Sequence, residues 1–281
     1  MSSLAQSTSS TFPLGQPVAA APPDEEVLSL DLEEEDYLYR IRRNKRIVYV
    51  SILSGDILPH DCRTDSSRIL SQLRNIPMWE GEWKTITIQR NSHGLESTPD
   101  KFLPHGLDLR QLDSNSGSIY NLLDLATVSR ISDRISRVRC DGKTWILKVA
   151  RFRHELPALQ REVSVYSTLA SSGFQLAPRF IGFIYEETKD RTVGFLMEEI
   201  LGSHPDIQNL DECRETARRL HASGIIHGDL NRYNFLMTDS GAKVFDFEVS
   251  VAEGDADPAA AEEEMKTLES KLKDESGIEK R

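Results

Sequence analysis

The stretch HGDLNRYNF, residues 227–235, decides how this chain is read, together with VFDFE at 244–248. Asp229 is followed five positions later by Asn234 and, twelve beyond that, by Asp246. A carboxylate, a carboxamide and a second carboxylate in this order match the needs of phosphoryl transfer. One carboxylate orients an attacking hydroxyl and accepts its proton, and the other two groups offer hard oxygen ligands to magnesium. Asp229 suits the first task, Asn234 and Asp246 the second. FLMTD and AKVF flank the turn Asp239-Ser240-Gly241, which predicts a hairpin that returns Asp246 to the edge holding Asn234. Singly, each residue reads as a turn aspartate or a capping asparagine. The triple at this spacing carries the chemistry.

Upstream, ISRVRC and KTWILKVA flank Asp141-Gly142, a two-residue connection suited to a type I′ turn, so two antiparallel strands are predicted. Lys148 lies on the second strand, sharing a face with Ile146 and Ala150, while Trp145, Leu147 and Val149 share the other. Leu156, Leu159, Val163, Tyr166 and Leu169 then recur at helical spacing with Pro157 in the first turn. Glu162 sits at the edge of that stripe, placed to reach the strand lysine. A Lys148–Glu162 pair would hold an ammonium against nucleotide phosphates. RFIGFIYEE and RTVGFLMEE predict a second strand pair, Leu210, Cys213, Ala217 and Leu220 a second helix ended by Gly224, and Met265, Leu268 and Leu272 a last helix.

Lys148, Glu162, Asp229, Asn234 and Asp246, in this order and context, make residues 120–281 resemble the protein-kinase-like superfamily. HGDL, where regulated kinases carry H-R-D, is similar to aminoglycoside phosphotransferases, to the small kinase of the KEOPS tRNA-modification complex and to kinase-like proteins of fungi. The resemblance implies an α+β, two-lobed fold with a compact C-lobe, ATP and Mg2+ as cofactors, and transfer of the γ-phosphate to a hydroxyl-bearing acceptor. It also implies a hinge at MEEI, 197–200, where backbone around Glu198 and Glu199 meets adenine, and an adenine pocket lined by Val138 and Ile146. The chain departs from the pattern in three places. VSRISDRISRV, standing where the superfamily has a glycine-rich loop, contains no glycine. Gly228 replaces the arginine that reads a phosphorylated activation loop, and Asp246-Phe247-Glu248 lacks the usual glycine. The missing loop glycines keep open a second reading, a pseudokinase or nucleotide-gated protein-binding module without turnover.

Ahead of this region, residues 1–30 are rich in Ser, Ala and Pro and are expected to form a disordered tail. Residues 31–110 predict a small accessory α+β element: YLYRIRR and RIVYVSIL as strands, Asp65 capping a short helix, KTITIQR as a further strand. Trp79 and Trp83 read as core, with partner anchoring as the alternative. The segment from His93 to Ser118 is expected to link this element to a kinase-like domain at 118–281, with its N-lobe at about 118–199 and its C-lobe at about 200–281. A protein partner would engage through residues 31–110. The net charge of -11 disfavours nucleic acid and anionic membrane as partners. Cys62, Cys140 and Cys213 form no C-x-x-C pair, and no basic n-region or apolar h-region opens the chain. A cytoplasmic location is expected, with the nucleus compatible.

Overall fold

A computed structural model describes residues 24–111, 118–252 and 257–276. The first sheet runs in sequence order: β1 (Glu25–Leu32), β2 (Tyr37–Arg43), β3 (Arg46–Ile52), β4 (Thr85–Asn91) and β5 (Gly94–Pro99). Only β3 and β4 are parallel, because the chain crosses between them through α1 (Ser66–Leu73). The Asp65 side chain caps α1 by accepting the Arg68 N–H at 2.9 Å, and the helix buries Ile69, Leu70 and Leu73. Trp79 and Trp83 lie in this core, 5.4 Å apart edge to face, with the Arg43 guanidinium over both rings.

Two segments differ from expectation. Strand β1 begins at Glu25, inside the stretch read as tail, and β5 occupies Gly94–Pro99 in the stretch read as linker. Both are edge strands. Strand β1 carries the alternation Leu28-Ser29-Leu30-Asp31-Leu32, masked by the Ser-, Ala- and Pro-rich stretch it follows, whereas β5 has no such alternation and is recruited by the ladder to β4.

The second sheet has the order β6-β10-β11-β9-β8-β7. Its strands are β6 (Ser118–Asn121), β7 (Ala126–Arg130), β8 (Ile135–Cys140), β9 (Lys143–Val149), β10 (Phe180–Tyr185) and β11 (Thr192–Met197). The β8–β9 turn is the expected one, with Asp141 at φ 51° and Gly142 at φ 74°. Helix α2 (Leu156–Ser172) covers one face of this sheet and buries Leu159, Glu162, Val163, Tyr166 and Leu169. After β11 the chain enters a smaller lobe of α3 (Leu210–Ala222), the hairpin β12 (Phe235–Thr238) and β13 (Gly241–Val244), and α4 (Pro258–Lys273). One core cluster joins α2 and β11 to α3, the hairpin and α4, so the two lobes share a continuous apolar floor. This is a mixed α+β, two-lobed kinase-like arrangement with a small N-terminal sheet. Among the described residues no helix is long and apolar enough to cross a membrane.

The first sheet is fastened to the second by a buried ionic knot. Glu186, just past β10, accepts from Arg40 Nε at 3.0 Å and from the Tyr49 hydroxyl at 3.0 Å, and pairs with Arg191 at 2.8 Å. Burial pushes the Glu186 pKa up, but Arg40 and Arg191 outweigh it and hold the carboxyl below its ordinary value.

Candidate active site

Strand β9 presents Lys148 toward α2, and the ammonium is almost wholly enclosed, its side chain 4% exposed. It meets three carboxylates: Glu162 at 2.6 Å, Asp246 at 2.7 Å and Glu248 at 2.9 Å. Burial alone would discharge the lysine, but Glu162, Asp246 and Glu248 more than offset it and raise its pKa, so Lys148 stays charged. Burial and the neighbouring Asp246 and Glu248 raise the Glu162 pKa despite the lysine. Three acids around one ammonium leave the cluster short of positive charge, and Arg134 adds some by pairing with Glu248 at 3.0 Å.

The segment after α3 is braced from several sides. His227 is buried, with Nε2 donating to the Phe245 carbonyl at 3.1 Å and Nδ1 accepting the Asp229 N–H at 3.3 Å. These bonds select the neutral tautomer protonated at Nε2. Burial lowers the His227 pKa, against the opposing bond to Phe245 and the charge of Glu264. The Asn234 amide nitrogen donates to the Asp229 carbonyl at 2.8 Å and to its carboxylate at 3.2 Å. Asn231 caps the following turn by accepting the Tyr233 N–H at 2.8 Å. Asn234 is buried, and its Oδ1 finds no hydrogen-bond donor among the described residues. A buried acceptor left this way costs free energy unless another ligand satisfies it.

The hairpin β12–β13 returns the chain as expected, pairing Phe235 with Val244, and the Phe245 N–H bonds the Asn234 carbonyl at 3.1 Å. Phe247 is buried between Tyr166 and His227, its ring 5.6 Å and 5.3 Å from theirs. Pinning Phe247 inside while Asp246 reaches Lys148 puts Asp246 at φ 67°, the left-handed region that aspartate tolerates better than most residues. Gly228 sits at φ 84°, and a Cβ there would lie 2.7 Å from the Val249 carbonyl. The position therefore excludes the arginine of regulated kinases on backbone grounds.

The geometry brings together Lys148, Glu162 and Asp246, and separately Asp229 and Asn234, joined through the Phe245–Asn234 bond. Val138 is not with them. It pairs with Trp145 across the β8–β9 turn, so its side chain lies on the far face, packed with Leu147, Ile184, Val193 and Leu196. Ile146 does share the Lys148 face and belongs to the lower core. The β8 residue on that face opposite Lys148 is Ile135. At the lobe junction the Glu198 N–H is committed to the Arg179 carbonyl at 2.9 Å, and the Glu199 carboxylate takes Arg137 at 2.5 Å.

Sequence reasoning missed three participants. Glu248 lies two residues beyond Asp246 in a strand-like alternation that offered a signal. Arg134 stands between Arg130 and Arg137 in VSRISDRISRV, and nothing in the stretch singles it out. Glu264 on α4 accepts the Gly228 N–H at 2.5 Å, the His227 N–H at 3.2 Å and the His221 ring at 2.8 Å. Burial raises its pKa, but His221 and the two backbone donors outweigh that and lower it. Nothing in the run Glu262-Glu263-Glu264 marks which acid turns inward.

This fold and cluster resemble those of an atypical protein-kinase-like domain. The RIO domain family matches residues 197–265, the part of the chain that carries Asp229, Asn234 and Asp246. Over 212 residues the chain is 31% identical to the "Probable bifunctional tRNA threonylcarbamoyladenosine biosynthesis protein" of Methanospirillum hungatei JF-1 (strain ATCC 27890 / DSM 864 / NBRC 100397 / JF-1), a match covering 70% of this chain and 32% of that protein. The chain thus spans about a third of that relative's length. Residues 197–265 are thus similar to the RIO domain, an atypical protein-kinase-like family.

Proposed function

We propose that the protein is an ATP-dependent phosphotransferase that moves the γ-phosphate of Mg-ATP to a hydroxyl acceptor. The observation that carries this reading is the enclosed Lys148, held at once by Glu162 from α2 and Asp246 from the segment after β13. A lysine fixed in this way presents a charge to nucleotide phosphates without spending side-chain entropy at the moment of binding. The donor set suits Mg2+: a buried carboxamide oxygen with no donor among the described residues, and the acidic cluster of Glu162, Asp246 and Glu248. Asn234 and Asp246 would hold the ion, whose charge would offset that of the phosphates. Asp229 takes the proton of the acceptor hydroxyl as its oxygen bonds to the γ-phosphorus, and the bond from that phosphorus to the bridging β-phosphate oxygen breaks to release ADP. Ile135 and Ile146 offer apolar surface on the Lys148 face for the base.

Calorimetric titration of ATP, with magnesium and with EDTA, into the wild type and Lys148→Ala tests the site. Magnesium-dependent binding lost in the variant supports it, and equal binding by both refutes it. Asp229→Ala should retain nucleotide affinity and lose transfer. The glycine-free β7–β8 turn favours one rival, a binding module that holds ATP without turning it over. Phosphate transfer that disappears in Asp246→Ala would reject that rival. The archaeal relative's name ties it to tRNA threonylcarbamoyladenosine biosynthesis, so components of tRNA modification are the first acceptors to screen. Residues 31–110 are the proposed surface for a protein partner.

A further inference from the structure

The turn between β7 and β8 cannot cradle phosphates with its backbone in the way a glycine-rich loop does. The N–H groups of Ile131 and Ser132 both donate to the Ile135 carbonyl, at 2.9 and 3.0 Å, and are used up inside the turn. What the turn offers instead is the Arg134 side chain. Its main chain is fixed to β9, where its carbonyl accepts the Val149 N–H at 3.0 Å. Its Nε donates to the Val149 carbonyl at 3.2 Å, which aims the guanidinium across the end of β9.

The two terminal nitrogens then grip Glu248, one at 3.0 Å from Oε1 and the other at 3.3 Å from Oε2. The 3.3 Å contact is a hydrogen bond and the 3.0 Å contact an ion pair without hydrogen-bond geometry, so both ends of the guanidinium face the carboxylate, as they would face a phosphate, while the fork is left incompletely closed. The same Oε1 lies 2.9 Å from the Lys148 ammonium. One anionic oxygen therefore bridges the lysine already assigned to the phosphates and an arginine from the covering turn. Arg134 and Glu248 keep about a fifth of their side-chain surface, 19% and 22%, open to solvent, so an incoming anion can reach the pair.

We propose that Arg134 is the phosphate clamp of this site, substituting for backbone glycine N–H groups, and that Glu248 is its internal placeholder. The carboxylate occupies the anion position between Arg134 and Lys148 until a nucleotide phosphate displaces it. This proposal rests on the Mg-ATP reading above. It adds that affinity for the phosphates is set by competition with a side chain of the protein itself.

Titrating Mg-ATP and adenosine into the wild type, Arg134→Ala, Arg134→Lys and Glu248→Gln tests the proposal. Arg134→Ala should weaken ATP about tenfold or more, the scale of a lost charge-assisted fork, and leave adenosine unchanged. Arg134→Lys should fall between, because it keeps the charge and loses the fork. Glu248→Gln should bind ATP more tightly than wild type, with adenosine again unchanged. Unaltered ATP affinity in Arg134→Ala overturns the clamp. Weaker ATP binding by Glu248→Gln overturns the placeholder role and makes Glu248 a contributor to the nucleotide complex. A wild-type protein that binds adenosine and ATP equally, or neither, defeats the Mg-ATP reading itself and the clamp with it.

Discussion

Truncating Glu264 to alanine tests whether α4 holds the segment bearing Asp229 in place. The carboxylate is 10% exposed and accepts from two consecutive backbone N–H groups, with the Gly228 bond at 2.5 Å and the His227 bond at 3.2 Å, besides its contact with His221. Hydrogen bonds to a charged group contribute about 1.5–3 kcal/mol each. Gly228 is exposed and its N–H can turn to water, whereas His227 is buried and its N–H cannot. The expected loss is therefore about 2–4 kcal/mol, the cost of one full and one discounted bond. Urea unfolding at neutral pH measures it, and hydrogen exchange at the His227 and Gly228 amides should accelerate in parallel. The sign of the pH dependence follows from the lowered pKa of Glu264: its contribution is present above the ordinary value of 4.5 and is lost as pH falls through the folded-state value. The gap between wild type and variant should narrow in acid. A variant within about 0.5 kcal/mol of wild type, the range of an inconsequential surface change, would refute the bracing role. So would a gap that stays constant with pH.

Gly228→Ala should destabilise by about 1–2 kcal/mol from its left-handed backbone alone, with a further penalty from the approach to the Val249 carbonyl; thermal unfolding checks this, and no change in midpoint would contradict it. Glu186→Gln leaves Arg40 and Arg191 facing each other without a counter-ion and should cost about 3–5 kcal/mol, while limited proteolysis should cut between the two sheets sooner than in wild type. His105 donates from Nε2 to the Ala150 carbonyl at 2.8 Å, and burial holds its pKa below 6.5 despite that bond and the charge of Glu186. Its neutral form is the one that fits, so stability should fall as pH drops below 6.5 and Glu186 remains ionised. His105→Gln should flatten that part of the urea-denaturation profile.

What could be read from sequence was local. Asp229, Asn234 and Asp246 are legible because the hairpin between them sets their spacing, and the turn residues that make the hairpin are themselves conspicuous. Lys148 and Glu162 are legible because strand and helix periodicities state which side each faces. Val138 shows the limit. The Asp141-Gly142 turn was identified, and a two-residue turn pairs Cys140 with Lys143 and so Val138 with Trp145. Carrying that register two steps further places Val138 on the face away from Lys148, which the kinase resemblance obscured. Strand β5 stays hidden because it has no apolar alternation and is specified by the ladder to β4, whereas the alternation Leu28, Leu30, Leu32 of β1 is legible and is masked only by the composition of the stretch before it. Glu264 and Arg134 act through contacts spanning 36 and 114 residues, beyond any window in which periodicity operates.

The accessory sheet is placed to influence the site it does not contain. Its attachment reaches the second sheet at two points. One is the turn between β10 and β11, where Glu186 accepts from Arg40 and from the Tyr49 hydroxyl of the first sheet and Arg191 donates to the same hydroxyl. The other is His105, bound to the Ala150 carbonyl only two residues beyond Lys148, with the Arg191 side chain in turn bonding the His105 carbonyl at 3.0 Å. Ala150 also donates its N–H to Val193 on β11 at 2.8 Å. The strand that carries the lysine is thus tied at its end to the same arginine that completes the inter-sheet knot. A load applied to the first sheet has a short, wholly hydrogen-bonded route to the position of Lys148. If a partner engages residues 31–110, the geometry around Lys148 is the property it is best placed to change.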